Sequence, residues 1–473
     1  MRNWLDKFFK ISERGSSIKT EIVAGLTTFF AMAYIVVTNP NQITSFNTLG
    51  AYGTIWNAVY IASILAAVIG TLLYAFYAKL PFAQACGMGL NSFFFVAFIL
   101  PTLANPTEAI QGYKEGLCVI LLSGVVFLVL SLTGAREYIA KSLPDCLKKA
   151  IPAGIGLFIA LIGFKNAGII QDNPYTFVQF FDFHGAVAGK EFFDAFTTII
   201  PVILAILGLL AIGVLEKKNV KGAIIITIGG VTVLYYLLTW QLPSFDLGQI
   251  GQSFKDFGEI GLFGAFGGFT IFAGGVGAII NAIVLTITFC LVDMFDTIGT
   301  LYGTASQADM LDENGDPIDI DKSMACDSIA TVSGGLLGTS TCTTFVESAS
   351  GVAAGGRTGL ASLVTAACFF ICLFLTPLAA IVPSCATAPA LIYVGVLMLK
   401  NFSKVDMGDV SAAIPAFLAL VMMPLTYSIS NGIAIGAIAY TLITVFTGKF
   451  TKKDIVVTVI AVLFTLRFFL VTM

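Results

Sequence analysis

The sequence predicts an all-α polytopic membrane protein with about 14 transmembrane helices in a 7+7 inverted repeat. Two observations carry this prediction. Hydrophobic residues make up 57% of the 473-residue chain and charged residues only 11%, whereas a soluble domain carries about 25% charged residues. In addition, apolar runs near the length that crosses a bilayer as a helix recur along the whole chain. This composition excludes a soluble globular protein.

The predicted spans form two series. The first comprises residues 22–39, 54–77, 90–103, 112–133, 149–165, 196–215 and 222–240. The second comprises residues 279–303, 325–338, 345–356, 358–382, 387–400, 409–427 and 430–447. The apolar stretch 454–471 is predicted to form an extra C-terminal helix. Because each series has an odd number of spans, the two halves insert in opposite senses, which is a common plan of secondary transporters.

Basic residues predict that the N-terminus is cytoplasmic. Lys148 and Lys149 follow the fourth predicted span, and Lys217 and Lys218 follow the sixth. Short cytoplasmic loops carry an excess of Lys and Arg, so loops after an even number of spans are expected on the same side as the N-terminus. Residues 1–20 mix charged and aromatic residues and are predicted to form a cytoplasmic interfacial segment rather than a cleavable signal. The expected location is the cytoplasmic membrane.

Several function classes are disfavoured by what the sequence contains. The nine cysteines are scattered mostly through apolar stretches with no histidine cluster beside them, so we predict neither a metal site nor a cofactor. The single histidine, His184, excludes catalysis by paired imidazoles. No GxxxxGK[ST] motif is present, which argues against ATP-driven transport. No basic patch indicates a nucleic-acid partner.

Asp293 and Asp296 are the most informative residues of the chain. They lie near the end of the predicted span 279–303 and three residues apart, so they share one helix face, which Thr297 and Thr300 extend. A charged side chain at bilayer depth costs about 2.5–3.5 kcal/mol on insertion scales, so one that persists usually faces a cavity or a partner. We therefore expect a polar site inside the bundle; the alternative is a wetted loop just beyond the span.

Two short apolar segments occupy matching positions in the two halves. CGMGLN (86–91) precedes the third span and GTSTCTT (338–344) precedes the tenth, and both sequences initiate helices poorly. Short, interrupted segments at corresponding positions are typical of discontinuous helices around a binding site. We predict a short extended stretch at each place, followed by a half-helix, because irregular backbone is tolerated at membrane depth only beside a cavity or within protein.

We expect the half-helices to bring further polar residues to the two aspartates. Asn91 opens the first half-helix, and Glu347 and Ser348 open the second. A carboxylate near a helix N-terminus is favoured by about 0.3–1 kcal/mol, so helix capping is the alternative role for Glu347.

The first span adds a stripe of hydroxyl and aromatic side chains. Thr27, Phe30 and Tyr34 recur at helical spacing, and Phe93 lies two residues after Asn91. These rings would stack on a planar ligand; the alternative is ordinary helix packing. Together with the carboxylates, they suit a small, planar, neutral molecule rich in N–H donors, and they disfavour an anion. A carboxyl group removed from water also holds its proton more tightly, which offers proton coupling.

Three motifs resemble the signatures of AzgA-like purine permeases of the nucleobase–cation symporter-2 family, also called nucleobase–ascorbate transporters. They are GMGLNSFF (87–94), VDMFDTIGT (292–300) and GTSTCTTFVESASGVAAGGRTGL (338–360). The resemblance begins at AGLTTFFAMAYIVVTNP (24–40) and covers nearly the whole chain. It implies proton symport of hypoxanthine, guanine or adenine, usually by a homodimer joined through its gate domains.

The resemblance also implies a division into two domains that move against each other. The core domain would comprise residues 21–134 and 279–382, and the gate domain residues 148–240 and 386–447. By motif, Gly89 and Asn91 match the third-span signature, Asp293 and Asp296 match the acidic positions of the eighth span, and Glu347 matches the acid of the tenth. In the resulting hypothesis Glu347 and one aspartate hold the N–H edge of the purine, Asn91 and Thr344 orient it, and the other aspartate takes the proton.

Two other functions stay open at this stage. Sulfate and bicarbonate transporters share the 7+7 plan, but they need a net-positive site, which the three acids oppose. A membrane-embedded enzyme with a carboxylate pair would need two acids on different helices, such as Asp296 and Glu347. The sequence does not decide which purine is preferred, or whether the coupling cation is a proton or sodium.

Overall fold

The computed structural model describes the chain apart from residues 1, 46–48, 134–143, 174, 189–190, 219, 221, 241–242, 244–245, 308–309, 311–316 and 471–473. In the first half the helices are α1 (Arg2–Phe9), α2 (Ile18–Met32), α3 (Ile35–Thr44), α4 (Ala51–Leu73), α5 (Met88–Phe94), α6 (Ala109–Thr133), α7 (Asp145–Asn166), α8 (Phe183–Val187), α9 (Phe192–Lys217), α10 (Ala223–Thr239) and α11 (Gly248–Asp256). In the second half they are α12 (Val276–Gln307), α13 (Ile320–Leu337), α14 (Ser348–Ala353), α15 (Gly359–Cys372), α16 (Thr376–Ala380), α17 (Ser384–Leu399), α18 (Val410–Leu425), α19 (Ile429–Phe446) and α20 (Ile455–Leu470).

Four short strands and several irregular helical turns complete the chain. The strands are β1 (Gln84–Cys86), β2 (Ile170–Asn173), β3 (Phe177–Phe180) and β4 (Cys342–Thr344). The π-helical turns are Tyr74–Ala78, Phe95–Ile99 and Phe257–Gly261, and the 3₁₀ turns are Leu100–Ala104, Pro106–Glu108, Gly264–Phe272, Lys400–Lys404 and Lys452–Asp454.

Eight helical stretches in the described part of the chain are long and apolar enough to cross a membrane. They are Ile18–Thr44, Ala51–Ala78, Pro106–Thr133, Asp145–Asn166, Phe192–Lys217, Val276–Ile298, Ser384–Lys404 and Ile429–Phe446. Five further apolar helices are shorter, including Met88–Leu103 and Gly359–Cys372. The predicted helical membrane fold is therefore confirmed, whereas the predicted number of crossings stays a prediction.

The first predicted span, 22–39, consists of two helices rather than one. Helix α2 ends at Met32 and α3 begins at Ile35, with the intervening turn held by i→i−3 bonds such as Val37 N to Tyr34 O at 3.1 Å. All ten residues of α3 are buried, including Asn39 and Gln42. Such polar side chains need internal partners when they are buried. Asn39 hydrogen bonds to Ser63 of α4 and, from the second half of the chain, to Thr339, while Gln42 pairs with Asn91 and Ser92 of α5.

Strands β1 and β4 join the two halves at the centre of the molecule. They run antiparallel, with Gln84 opposite Thr344 and Cys86 opposite Cys342, and every residue of both strands is buried. Each strand leads into a short helix, α5 or α14. The predicted extended stretches and half-helices are confirmed. Their pairing has a physical reason, since buried backbone N–H and C=O groups away from water need partners and each strand supplies the other's.

The long helices pack in two groups. In one group α2 and α4 contact α15, while α4 and α6 contact α13. In the other group α7 contacts α17 and α18, α18 contacts α19, and α9 contacts α10 and α17. The division into a core domain and a gate domain that move against each other stays a prediction.

The apolar stretch predicted at 454–471 forms helix α20, from Ile455 to Leu470. A capping box formed by Thr451 and Asp454 precedes it, and Asp454 also accepts a hydrogen bond from Tyr440 at 2.9 Å. Helix α20 packs on α19 and on α12, the helix that carries Asp293 and Asp296.

Candidate substrate site

Asp293 is fully buried on α12 and is tied to strand β4. Thr331 of α13 donates a hydrogen bond to Asp293 Oδ2 at 2.6 Å, and the same threonine oxygen accepts the backbone N–H of Cys342 at 3.2 Å. The second oxygen of Asp293, Oδ1, has no hydrogen-bond partner among the described residues. A buried acceptor without a partner costs free energy, so this carboxyl group is a place where a proton has a physical role.

Asp327 of α13 is a second fully buried acid, and the sequence analysis did not single it out. Its oxygens accept hydrogen bonds from Gln84 of β1, from Thr297 of α12 and from Thr344 of β4, the last at 3.1 Å. It thus connects both central strands to the two helices that carry the acids. A signal was present, since Asp327 is a lone carboxylate within the predicted span 325–338, by the argument that selected Asp293.

Asp296 and Glu347 are only partly buried. Tyr34 donates a hydrogen bond to Glu347 Oε1 at 2.7 Å, and no described residue donates one to the carboxylate of Asp296. Asp296 Oδ2 lies beside the chain that enters α5, 3.8 Å from the position that a Cβ atom on Gly87 would take. Helix α12, which carries Asp296, packs on α14, the short helix that Glu347 precedes. The structure therefore places these two acids on neighbouring elements beside the half-helices.

Glu347 does not cap the helix that follows it. It occupies the residue before α14, but its side chain makes no hydrogen bond to the backbone amides there. Its carboxylate reaches Tyr34 instead, which leaves acceptor capacity for a ligand because a carboxylate has about four lone-pair sites. We call Asp293 and Asp327 the inner pair, and Asp296 and Glu347 the outer pair.

Asn91 has its amide engaged by the protein. Its Oδ1 accepts a hydrogen bond from Ser340, which lies just before β4, and its Nδ2 donates to Gln42 of α3 at 3.2 Å. Gln42 in turn donates to Ser92 at 3.4 Å. Asn91 thus links the first half-helix to both α3 and the segment that leads into the other half-helix.

Three further candidate residues have partners within the central packing. Thr344 hydrogen bonds to Asp327 and to the hydroxyl of Tyr74, the latter at 2.7 Å. The Ser348 hydroxyl accepts the backbone N–H of Ala83 at 3.0 Å. A side chain at Gly89 would collide with Ile155 of α7, so the glycine allows close approach of α5 and α7.

Thr27, Phe30 and Phe93 make contacts that do not involve the acids among the interactions of the described residues. Thr27 is buried and donates to the backbone oxygen of Val23 at 2.8 Å. Phe30 lies 47% exposed, and Phe93 stacks on Phe289 with ring centroids 4.7 Å apart. Of the candidate aromatic residues, Tyr34 is the one that contacts an acid.

A helical membrane bundle in which two half-helices and paired strands hold buried acids defines a membrane permease. A family model described as a permease family (Xan_ur_permease) matches residues 19–435, so the chain belongs to that family. The resemblance inferred from the three motifs is thereby confirmed. Since this family and its curated members are transporters, the enzyme alternative is rejected.

Curated relatives match nearly the full length of the chain. The guanine/hypoxanthine permease PbuO of Bacillus subtilis is 38% identical over 98% of this chain and 100% of its own length. The adenine permease AdeP of Escherichia coli is 35% identical over 98% of this chain and 95% of its own length. The putative permease MJ0326 of Methanocaldococcus jannaschii is 37% identical over 98% of both chains.

Solved structures share the fold. The transmembrane domain of the cyanobacterial bicarbonate transporter BicA superposes with a TM-score of 0.58 at 15% identity, covering 86% of this chain and 96% of that domain. The structure of SLC26A9 gives a TM-score of 0.57 at 11% identity, covering 91% of this chain and 66% of that one. These similarities confirm the predicted 7+7 class, and at such identities they concern the fold alone.

Proposed function

We propose that this permease imports purine nucleobases together with protons across the cytoplasmic membrane by alternating access. The observation that carries the proposal is the outer pair, two partly exposed carboxylates, one just before α14 and one on α12 beside the chain that enters α5. The described residues give the pair a single hydrogen-bond donor, Tyr34, which donates to Glu347. Relatives that match nearly the whole chain are named adenine permeases and guanine/hypoxanthine permeases, which supports a purine as the ligand.

The outer pair suits the N–H edge of a purine. Adenine, guanine and hypoxanthine all present ring N–H groups, and adenine and guanine add an exocyclic amine, so each can donate to Glu347 and Asp296. Tyr34 fixes the orientation of the Glu347 carboxylate by donating to one of its oxygens. Hydrogen bonds to a charged acceptor contribute about 1.5–3 kcal/mol each, enough for selective binding of a small molecule.

The four neighbouring acids supply a route to proton coupling. The hydrogen-bond donors that the described residues offer to the inner and outer pairs are hydroxyl groups and one amide, not Lys or Arg. Four carboxylates gathered in a low-dielectric interior cannot all stay ionised, because like charges repel and none is neutralised. A proton taken up on one side and released on the other is then linked to purine binding through this shared charge.

The same acids disfavour an anion as substrate. The solved structures with this fold include a bicarbonate transporter and an anion transporter, but a negatively charged ligand at the outer pair would meet two carboxylates.

The proposal also covers the orientation and the assembly of the protein. The N-terminus is cytoplasmic, as the distribution of Lys and Arg indicates. The gate domains join two copies into a homodimer, as the resemblance implies.

Uptake into proteoliposomes tests the proposal. Radiolabelled hypoxanthine, guanine and adenine are offered under an imposed pH gradient, a sodium gradient or neither. We expect accumulation of at least one purine driven by the inward proton gradient and none added by sodium. Accumulation driven by sodium alone would overturn the choice of cation, and sulfate or bicarbonate competing with the purine would overturn the choice of substrate. A double variant, Glu347→Gln with Asp296→Asn, that transports normally would reject the site.

A further inference from the structure

We infer that Thr344 and Tyr74 carry the coupling proton between Asp327 and the side of the membrane on which the N-terminus lies. The inference rests on the proposed proton symport and concerns residues that touch neither of the outer acids. Its basis is a file of two hydrogen-bonded hydroxyl groups that begins at an inner acid and ends beside the first turn of α13.

The file is made by hydrogen bonds between neighbouring side chains. Thr344 Oγ1 lies 3.1 Å from Asp327 Oδ1 and 2.7 Å from the Tyr74 hydroxyl. The Tyr74 hydroxyl reaches the backbone oxygen of Ser323 at 3.5 Å. The hydroxyl of Ser323 is buried and has no partner among the described residues, which makes it available as the next member.

The surroundings insulate this file from water and from other charges. Tyr74 and Thr344 are almost completely buried, and the Tyr74 ring meets Phe82 edge-to-face at 5.8 Å. Asp327, which Thr344 joins to the Tyr74 hydroxyl, and its neighbour Cys326 are the titratable residues of α13 next to this path. Among the described residues no Lys, Arg or His hydrogen bonds to Thr344 or to the Tyr74 hydroxyl, so a proton that leaves Asp327 meets no base before the first turn of α13.

The far end of the file lies near the N-terminal segment. The π-turn that contains Tyr74 ends at Ala78, and Lys79 follows it. The ammonium group of Lys79 lies 4.4 Å from the centre of the Phe8 ring, in the N-terminal segment. Ser323 is in the first turn of α13, beside the exposed Lys322–Asp319 ion pair at 2.7 Å. If the N-terminus is cytoplasmic, the file opens toward the cytoplasm, where a symporter must release its proton.

The transfer balances with water as the final proton acceptor. When Asp327 is ionised, Thr344 donates to it; when Asp327 carries a proton, the direction reverses, so that Asp327 donates to Thr344 and Thr344 donates to Tyr74. The proton of Asp327 then passes to Thr344 Oγ1, the Thr344 proton passes to the Tyr74 oxygen, and the Tyr74 proton passes to the hydroxyl oxygen of Ser323, which releases its own proton to water at that end of the bundle. Each hydroxyl keeps one hydrogen, and Asp327 becomes a carboxylate.

Tyr74→Phe removes one hydroxyl from the file and keeps the ring that packs on Phe82. In proteoliposomes we expect purine affinity and purine counterflow, which need no net proton release, to stay at the wild-type level. Uptake driven by a pH gradient, and the accompanying alkalinisation measured with an external pH dye, should fall by at least about tenfold. A wild-type proton flux in Tyr74→Phe would overturn the inference.

Tyr60→Phe is the matched control. Tyr60 lies on α4, which runs directly into the π-turn that begins at Tyr74. It is fully buried, but its hydroxyl donates to the backbone oxygen of Cys372 at 2.7 Å and takes no part in the file. We expect its proton flux to be unchanged. An equal loss of flux in Tyr60→Phe would overturn the inference by showing that any buried hydroxyl on α4 has this effect.

A second pair of variants addresses a failure of Tyr74→Phe to fold. Thr344→Ser keeps the hydroxyl and should retain proton flux, whereas Thr344→Val should lose it. Equal flux in the two would contradict the relay. The two proposals can fail separately. If the wild-type protein transports purine without a proton, both symport and the relay are rejected. If wild-type uptake is coupled to protons but the hydroxyl variants are unaffected, only the relay is rejected.

Discussion

The inner and outer acid pairs differ in how the protein satisfies them. Asp293 and Asp327 are completely buried, and threonine hydroxyls and a glutamine amide hydrogen bond to them. Asp296 and Glu347 are partly exposed and receive one described hydrogen bond, from Tyr34. Asp327 has partners on both oxygens, whereas Asp293 keeps one oxygen, Oδ1, without a partner among the described residues, but both acids are closed off from the surface. This difference is why we propose ligand binding at the outer pair and proton handling at the inner pair.

One helical turn separates the two roles. Asp293 and Asp296 are three residues apart on α12, yet one hydrogen bonds to Thr331 of α13 while the other lies beside Gly87 at the entrance to α5. Residues at this spacing share a helix face but are displaced by most of a turn along the axis. The neighbours that each carboxylate meets at its own height along the helix therefore differ, and the separate roles proposed for the two acids rest on that difference.

The largest effect is expected from Glu347→Gln, which breaks the outer pair. Removing a charged acceptor from a hydrogen bond with the ligand should cost about 1.5–3 kcal/mol, or about 10- to 150-fold in purine affinity. Equilibrium binding of radiolabelled purine measures it. Glu115→Gln is a suitable control, since Glu115 also accepts a hydroxyl hydrogen bond, from Thr270 at 2.7 Å, but at an exposed position. Binding within twofold of wild type would remove Glu347 from the site.

Asp327→Asn should distinguish the role of the inner pair from that of the outer pair. The asparagine keeps the shape and one oxygen acceptor but cannot exchange a proton, so we expect purine affinity within about threefold of wild type and loss of uptake driven by a pH gradient. Binding and gradient-driven uptake measured on the same preparation give both numbers. An affinity loss as large as that of Glu347→Gln would mean that the inner acid contacts the purine.

Tyr34→Phe should have a smaller effect on the outer pair. The variant removes the hydroxyl that orients Glu347 without removing the acceptor itself, at a cost of about 1 kcal/mol, or about fivefold in the KM for purine uptake. Initial uptake rates at varied purine concentration measure it. The control is Tyr52→Phe, whose buried hydroxyl donates to the Thr102 backbone oxygen at 3.1 Å. If both variants change KM equally, the effect is one of packing rather than of Glu347.

Phe30→Ala should have the smallest effect. The side chain is about half exposed on α2 and packs on Phe29 with ring centroids 5.5 Å apart. Surface substitutions usually change the free energy of unfolding by no more than about 0.5 kcal/mol. We therefore expect purine affinity within about twofold of wild type, measured by equilibrium binding of radiolabelled purine. A purine affinity reduced by more than tenfold would restore Phe30 as a ring that stacks on the base.

The predictions from sequence succeeded where the relevant physics is local along the chain. Hydropathy located most of the helices, and residues that initiate helices poorly located the two half-helices after Gln84–Cys86 and Cys342–Thr344. Helical spacing also placed Asp293 and Asp296 on one face. The break between α2 and α3 was not predicted, because the apolar pattern continues through Ala33 and Tyr34 and the turn there keeps right-handed helical dihedrals.

By itself, the sequence determined the membrane fold, the inverted halves, the family and the acids at the half-helices, because composition, apolar period and motif are properties of consecutive residues. Only the tertiary structure added Asp327 and divided the four acids into two pairs, since both results depend on contacts between distant segments. Tyr74 and Thr344 lie 270 residues apart in sequence and 2.7 Å apart in space. Such a contact exists because β1 pairs with β4, and no local pattern of residues specifies that partner.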